Sequence, residues 1–213
     1  MVDHVKYLGV IIDSKLTWQQ HINYLTVKIS RSLYMLSKLK YTLNTKTLLT
    51  LYYTLIYPYY NYCCTVWGTA AECHLNRLKL FQKRAVRIIQ KQNYLAHTEP
   101  IFKDLHILKL KQIINKSILL FMFKYKNSLL PVACENLVDI NNKTNDVNSQ
   151  NLNRYNLRHS EDFKIPRFRT NLRQKSIKII GAKQWQQIDS EIKTITSLSL
   201  FKTKLHEKLL NET

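Results

Sequence analysis

Glycine and proline are scarce in this chain, three and four among 213 residues. Collagen-like repeats and turn-dense sandwiches or barrels spend both residues freely, so those classes are set aside. Neither G-x-G-x-x-G nor G-x-x-x-x-G-K-S/T occurs, which sets aside the glycine-lined phosphate cradles of Rossmann and P-loop enzymes. No apolar run reaches the roughly 18 residues of a membrane-spanning helix, so no membrane partner is expected. The opening Met1-Val2-Asp3-His4-Val5-Lys6 lacks the apolar core of a signal peptide. Four cysteines, Cys63, Cys64, Cys73 and Cys134, without a secretory signal read as reduced thiols of an intracellular protein, with nothing that separates nucleus from cytoplasm. Acids are the last shortage: 14 Asp and Glu face 33 Lys and Arg, for a net charge of +19. That excess suits a polyphosphate partner, because each cation on a phosphate releases condensed counterions. An anionic membrane surface would attract the same charge.

What is present is ordinary globular material, 45% hydrophobic and 22% charged, enough for one or two compact units. Residues 5–12 read as a short strand or hairpin broken by Gly9, after which Asp13 and Ser14 offer a turn and a helix cap. Trp18, Ile22, Leu25, Ile29, Leu33 and Leu36 step by three and four, predicting a helix to about Leu39 with Lys28, Arg31 and Lys38 off its apolar stripe. A second helix starts near Asn44 or Thr45 and stops before Pro58. The aromatic stretch from Tyr57 to Trp67 reads as a packed turn. A third helix, 74–92, sets Leu75, Leu78, Phe81, Ala85, Ile88 and Ile89 against Lys83, Arg84, Arg87 and Lys91. A short helix follows Thr98 with Pro100 in its first turn, then a long one, 109–127, closed by Pro131. Asparagine-rich residues 141–159 read as a linker. Beyond them come a basic segment, an apolar run from Ile177 cut by Gly181, and a terminal helix from Thr196 or Ser197. The expected architecture is mainly α with a short N-terminal β element and a smaller C-terminal helical or irregular segment. Its expected divisions are 1–135, a linker at 136–160, and 161–213.

Chemistry is harder to find. Metal-assisted hydrolysis or phosphoryl transfer needs carboxylates converging on one or two ions, and here the acids are scattered, with Asp13 read as a helix cap. Cys63-Cys64 and Cys73-His74 lack the spacing that folds two ligands onto zinc, so core thiols are the better reading. No nucleophile elbow supports a Ser/His/Asp site. No catalytic or metal-binding residue is assigned. The helix near residue 83 is more informative: four cations share one face opposite an apolar one, as a phosphate backbone requires. A solvated face is the plainer alternative, but no acid between Phe81 and Asn93 offers helical ion pairing. The aromatics from Tyr52 to Trp67 could stack on bases, though beside so many Leu and Ile they read as core.

One resemblance organises these pieces. His4-Val5-Lys6-Tyr7-Leu8-Gly9-Val10-Ile11-Ile12-Asp13, with Leu16-Thr17-Trp18 and His21-Ile22, resembles the stretch after the palm in jockey-like non-LTR retrotransposon reverse transcriptases. Leu51-Tyr52, Leu55-Ile56-Tyr57-Pro58, Val66-Trp67-Gly68 and Leu80 through Ile89 follow in the family's order, as do Ile180-Gly181-Ala182-Lys183-Gln184-Trp185 and Phe201 to Leu205. The resemblance implies the C-terminal thumb and post-thumb region of an RNA-directed DNA polymerase, a helical bundle that grips template and primer. The palm's paired aspartates have no counterpart here, so the chain is expected to be inactive alone and to need no cofactor. Any divalent metal would belong to the missing palm. Lys28, Arg31, Lys38, Lys83, Arg84, Arg87 and Lys91 are the implied phosphate contacts, oriented by a core including Trp18, Ile22, Leu25 and Trp67. Expected partners are RNA or an RNA/DNA template–primer and the missing polymerase part. The alternative is a non-enzymatic protein-interaction or structural module.

Overall fold

Val10, Ile11 and Ile12 favour a pleated strand, and Gly9 permits the reversal before them. The structure, a computed structural model, describes residues 3–134, 137–138 and 163–212. Strands β1 (His4–Tyr7) and β2 (Val10–Asp13) form an antiparallel hairpin that pairs His4 with Asp13 and Tyr7 with Val10. Leu8 and Gly9 connect them with φ of 45° and 84°, the left-handed pair that matches the twist of a tight hairpin. Asp13 does not cap the first helix. Its carboxylate accepts from the Thr17 amide at 2.7 Å and from the Thr17 hydroxyl, closing the turn that precedes it. Helix α1 (Gln19–Leu39) starts instead behind Trp18, held at φ 64° with no side-chain cap. The indole is buried, so packing rather than capping sets where this helix begins.

The α1 stripe is as periodicity predicts: Ile22, Leu25, Ile29, Leu33 and Leu36 are all buried, each side chain contributing about 1.5–3 kcal/mol. Helix α2 (Thr45–Leu55) is capped by Asn44, whose side chain accepts from the Thr47 amide at 2.8 Å. Pro58 lies in the first turn of α3 (Tyr57–Asn61). It opens a helix as well as ending the α2 pattern, since a first-turn proline sacrifices no hydrogen bond. Helix α4 (Cys64–Trp67) follows, so the expected aromatic turn is two short helices. Tyr52, Tyr60 and Trp67 are buried there, while Tyr53 and Tyr62 stay exposed. Of the thiols only Cys64 is core; Cys73 is exposed, because it lies on the outer side of the next helix.

Helix α5 (Glu72–Ile89) ends earlier than expected. Lys91 takes φ 56°, the Lys91 amide donates to Ile88 O, and the Gln92 amide donates to Arg87 O at 2.9 Å. That is a left-handed C-terminal cap made without glycine. Helix α6 (Thr98–Asp104) and α7 (Leu110–Lys126) come next. Ser128, at φ 53°, stops α7 before Pro131 is reached. After a 3-10 turn (Val132–Cys134) come α8 (Asn171–Gln174), α9 (Ile177–Gln186), α10 (Ser190–Lys193) and α11 (Leu198–Asn211). The fold is mainly α, as expected. The linker placed at 136–160 lies outside the described residues except for Leu137 and Val138.

Two compact units emerge, Met1–Ser117 with Leu205–Thr213, and Ile118–Lys204. In the first, α1 packs on α5, β2 lies on α1, and α2 contacts both long helices. The second is organised by aromatics: the Phe123 and Phe201 rings stack at 4.2 Å, and Trp185 stacks on Phe201 and meets Phe163 edge-on. Gly181 does not cut the apolar run there. It is buried inside α9, where an added Cβ would stand 2.5 Å from Met122 Sδ, so the missing side chain permits close packing.

Candidate nucleic-acid interface

The inner face of α5 carries a residue that charge and apolar spacing did not single out. Gln82 is buried. Its Nε2 donates to Tyr52 OH at 3.1 Å and to Leu108 O at 2.9 Å, and its Oε1 accepts from the Leu110 amide at 2.8 Å. One amide thus ties α5 to α2 and satisfies an amide at the start of α7, where Gln112 Oε1 accepts from Lys109 N. Burial pushes the Tyr52 hydroxyl well above its ordinary range, keeping it neutral. The signal was a polar residue on the Leu75, Leu78, Ala85, Ile89 stripe, where a side chain must find partners.

The outer faces answer to different chemistry. From Ser14 to Thr98 the sequence has twelve Lys and Arg and a single acid, Glu72, which pairs with Lys79. Lys83 and Arg84 lie exposed on the outer face of α5. On α1, Arg31 and Lys38 are exposed and Lys28 is half-buried. Lys28 and Lys6 both stand over the Tyr24 ring, at 5.6 and 5.3 Å, and Lys38 stands 5.5 Å from the Tyr34 ring centre. Arg87 is different: its Nε donates to Ala96 O at 2.8 Å, and its guanidinium lies over Tyr94, so it also braces the chain after α5. Lys91 sits beyond the end of α5, off the regular face.

Two bonds fix how the basic helices run. Near their starts Arg77 donates to Asn23 Oδ1 at 2.5 Å; near their ends Lys40 Nζ donates to Gln92 O at 3.3 Å. Helices α1 and α5 are therefore parallel, with their carboxyl ends together. The predicted cations fall on two neighbouring helices of one unit, except that Lys91 lies in the capping turn. Trp18, Ile22, Leu25 and Trp67 are buried beneath them.

The hairpin is held to α1 and to the turn between α3 and α4 by uncharged hydrogen bonds. The Ile11 amide donates to His21 Nδ1 at 3.3 Å, and Tyr62 OH donates to Leu8 O at 2.6 Å. Burial lowers the His21 pKa from its ordinary 6.5. Among the described residues no group of three or more His, Cys, Asp or Glu could hold a metal ion, and no helix is long and apolar enough to cross a membrane.

Comparison with known proteins finds relatives over about half of the chain. Over 116 residues, 52% of this chain, it is 30% identical to the probable RNA-directed DNA polymerase from transposon X-element of Drosophila melanogaster. The chain is similar to mobile-element RNA-directed DNA polymerases. It is also 31% identical over 110 residues to the RNA-directed DNA polymerase from mobile element jockey of the same fly, and 29% identical over 117 residues to the transposon BS protein. These matches cover only 12% to 13% of the relatives' own length. No protein-family model matches the chain, and no solved structure does. The resemblance to jockey-like reverse transcriptases is borne out by these relatives.

Proposed function

We propose that this chain is a thumb-like, backbone-gripping part of a retrotransposon RNA-directed DNA polymerase, and that the acids and metals of polymerisation lie elsewhere in that enzyme. One observation carries the reading: twelve cations against one acid between Ser14 and Thr98, with Arg31, Lys38, Lys83 and Arg84 exposed on the parallel helices α1 and α5. An ordinary solvated helix mixes signs to gain ion pairs; this surface forgoes them. A duplex or single strand of nucleic acid supplies the missing anions at regular spacing, and the rigid helix pair holds the cations ready for it.

The purified chain is expected to bind RNA and RNA/DNA duplex and to extend no primer when given divalent metal and nucleotides. Charge reversal on α1, Lys28→Glu with Arg31→Glu, should weaken binding to every sequence alike. Salt-insensitive self-association without nucleic-acid binding would support the protein-interaction reading instead. Primer extension by the chain alone would contradict the division of labour.

A further inference from the structure

The carboxyl ends of α1 and α5 bring together something the backbone-gripping reading does not require. Tyr41 is 83% exposed and Tyr94 73% exposed, so both ring faces are open to a ligand. The Lys40–Gln92 bond ties the chain beside Tyr41 to the chain beside Tyr94, so the two rings belong to one end of the helix pair. Each ring carries a cation: Lys40 Nζ lies 5.4 Å from the Tyr41 ring centre, and the Arg87 guanidinium 5.8 Å from that of Tyr94. About two turns before Tyr41, on α1 itself, Tyr34 is 63% exposed with Lys38 over its ring.

Three exposed rings, each with its own cation and all within the stretches 14–71 and 73–98 that hold no acid, match the needs of unpaired nucleotides. A base gives up a π-face to the ring while its phosphate meets the cation. A duplex keeps its bases stacked inside and cannot use the rings in this way. An acidic protein partner would use the cations but leave the ring faces without a flat counterpart. We propose that Tyr34, Tyr41 and Tyr94 form a stacking platform for single-stranded nucleic acid at the shared carboxyl end of α1 and α5. This rests on the backbone-gripping reading and assigns the unpaired portion of the bound strand to that end.

The rings at this end are braced from behind. Arg87 is fixed by its bond to Ala96 O, and the capping turn at Lys91 holds Gln92 in place for Lys40. The loop bearing Tyr94 is therefore presented by two cations that also neutralise strand charge.

The test measures binding of the full chain to fluorescently labelled oligo(U), oligo(dT) and a duplex of equal length, at one salt concentration. Tyr34→Ala, Tyr41→Ala and Tyr94→Ala are compared with the corresponding Phe variants, with circular dichroism confirming unchanged helicity. Each Ala variant should weaken oligo(U) or oligo(dT) binding about 5- to 100-fold and leave duplex binding within about twofold, and the Phe variants should bind like the parent. Loss on oligo(U) alone would assign the platform to RNA, and loss on oligo(dT) alone to DNA; either supports it. Unchanged single-strand affinity in all three Ala variants, with Lys83→Glu and Arg84→Glu still losing binding, would overturn the platform and spare the backbone-gripping reading. An equal loss on duplex and single strand would also overturn it. A parent chain that binds none of the three probes would overturn both.

Discussion

Gln82 and Lys83 are neighbours in sequence and face opposite worlds. The first is buried with its amide fully used by Tyr52, Leu108 and Leu110; the second is exposed on a surface nearly empty of acid. On the inner face of α5 the polar group is neutral and its hydrogen bonds are made, as a low-dielectric interior demands. Outside, charge is left in surplus. The contrast separates the face of the helix that packs from the face proposed to meet nucleic acid, so each should yield to mutation separately.

The inner face should show the largest effect. Gln82→Ala strands the Leu110 amide, the Leu108 carbonyl and the Tyr52 hydroxyl, each costing about 1–3 kcal/mol, so a loss of roughly 3–5 kcal/mol is expected in urea denaturation. Tyr52→Phe removes one partner only and should cost about 1 kcal/mol, with strong coupling to Gln82 in a double-mutant cycle. A loss under about 1 kcal/mol for Gln82→Ala would break the contrast from the inside. On the outer face, Lys83→Glu with Arg84→Glu should lower nucleic-acid affinity at least tenfold while stability changes by less than about 0.5 kcal/mol. Lost stability with intact binding would break it from the outside.

Acid should expose the hairpin clamp. His21 accepts the Ile11 amide in its neutral form, and burial holds its native pKa below the ordinary 6.5. Between that depressed value and 6.5 the unfolded chain binds the extra proton and the native one does not. Its contribution is therefore whole above pH 6.5 and is lost as pH falls below it. Thermal denaturation of His21→Gln should show a shallower decline below pH 6.5 than the parent. The smallest effect belongs to Lys91, which holds a left-handed φ of 56°. Lys91→Gly should raise stability by about 0.4–1 kcal/mol and cost a little affinity, the two faces moving in opposite directions.

How much of this was legible beforehand follows from periodicity. α1, α2, α5, α7 and α11 each show the three-and-four spacing for several turns, and the hairpin announces itself through Gly9 and the β-branched residues around it. α3 and α4 span five and four residues, too few for a period to register, so Pro58 looked like an end rather than a beginning. Glycine scarcity hid the turns. Leu8, Leu16, Trp18, Cys63, Lys91, His106 and Ser128 all adopt positive φ, and none of these residue types advertises it. Trp18 was legible as core and as the first residue of the α1 stripe, but not as a left-handed, uncapped entry to the helix. Among the candidate site residues, the outward placement of Lys83 and Arg84 could be read from helical spacing. The bond from Arg87 to Ala96 and the parallel pairing of α1 with α5 depend on tertiary packing, which no local pattern encodes.

The surplus cations on α1 and α5 are proposed to hold phosphate. The most direct measurement of this is the dependence of RNA binding on salt between about 50 and 200 mM. Phosphate-bound cations give a steep linear fall of log affinity with log salt, and a slope shallower by about one for each of Lys83→Gln and Arg84→Gln. A flat response, or a steep one that both neutral variants leave unchanged, would contradict the proposal.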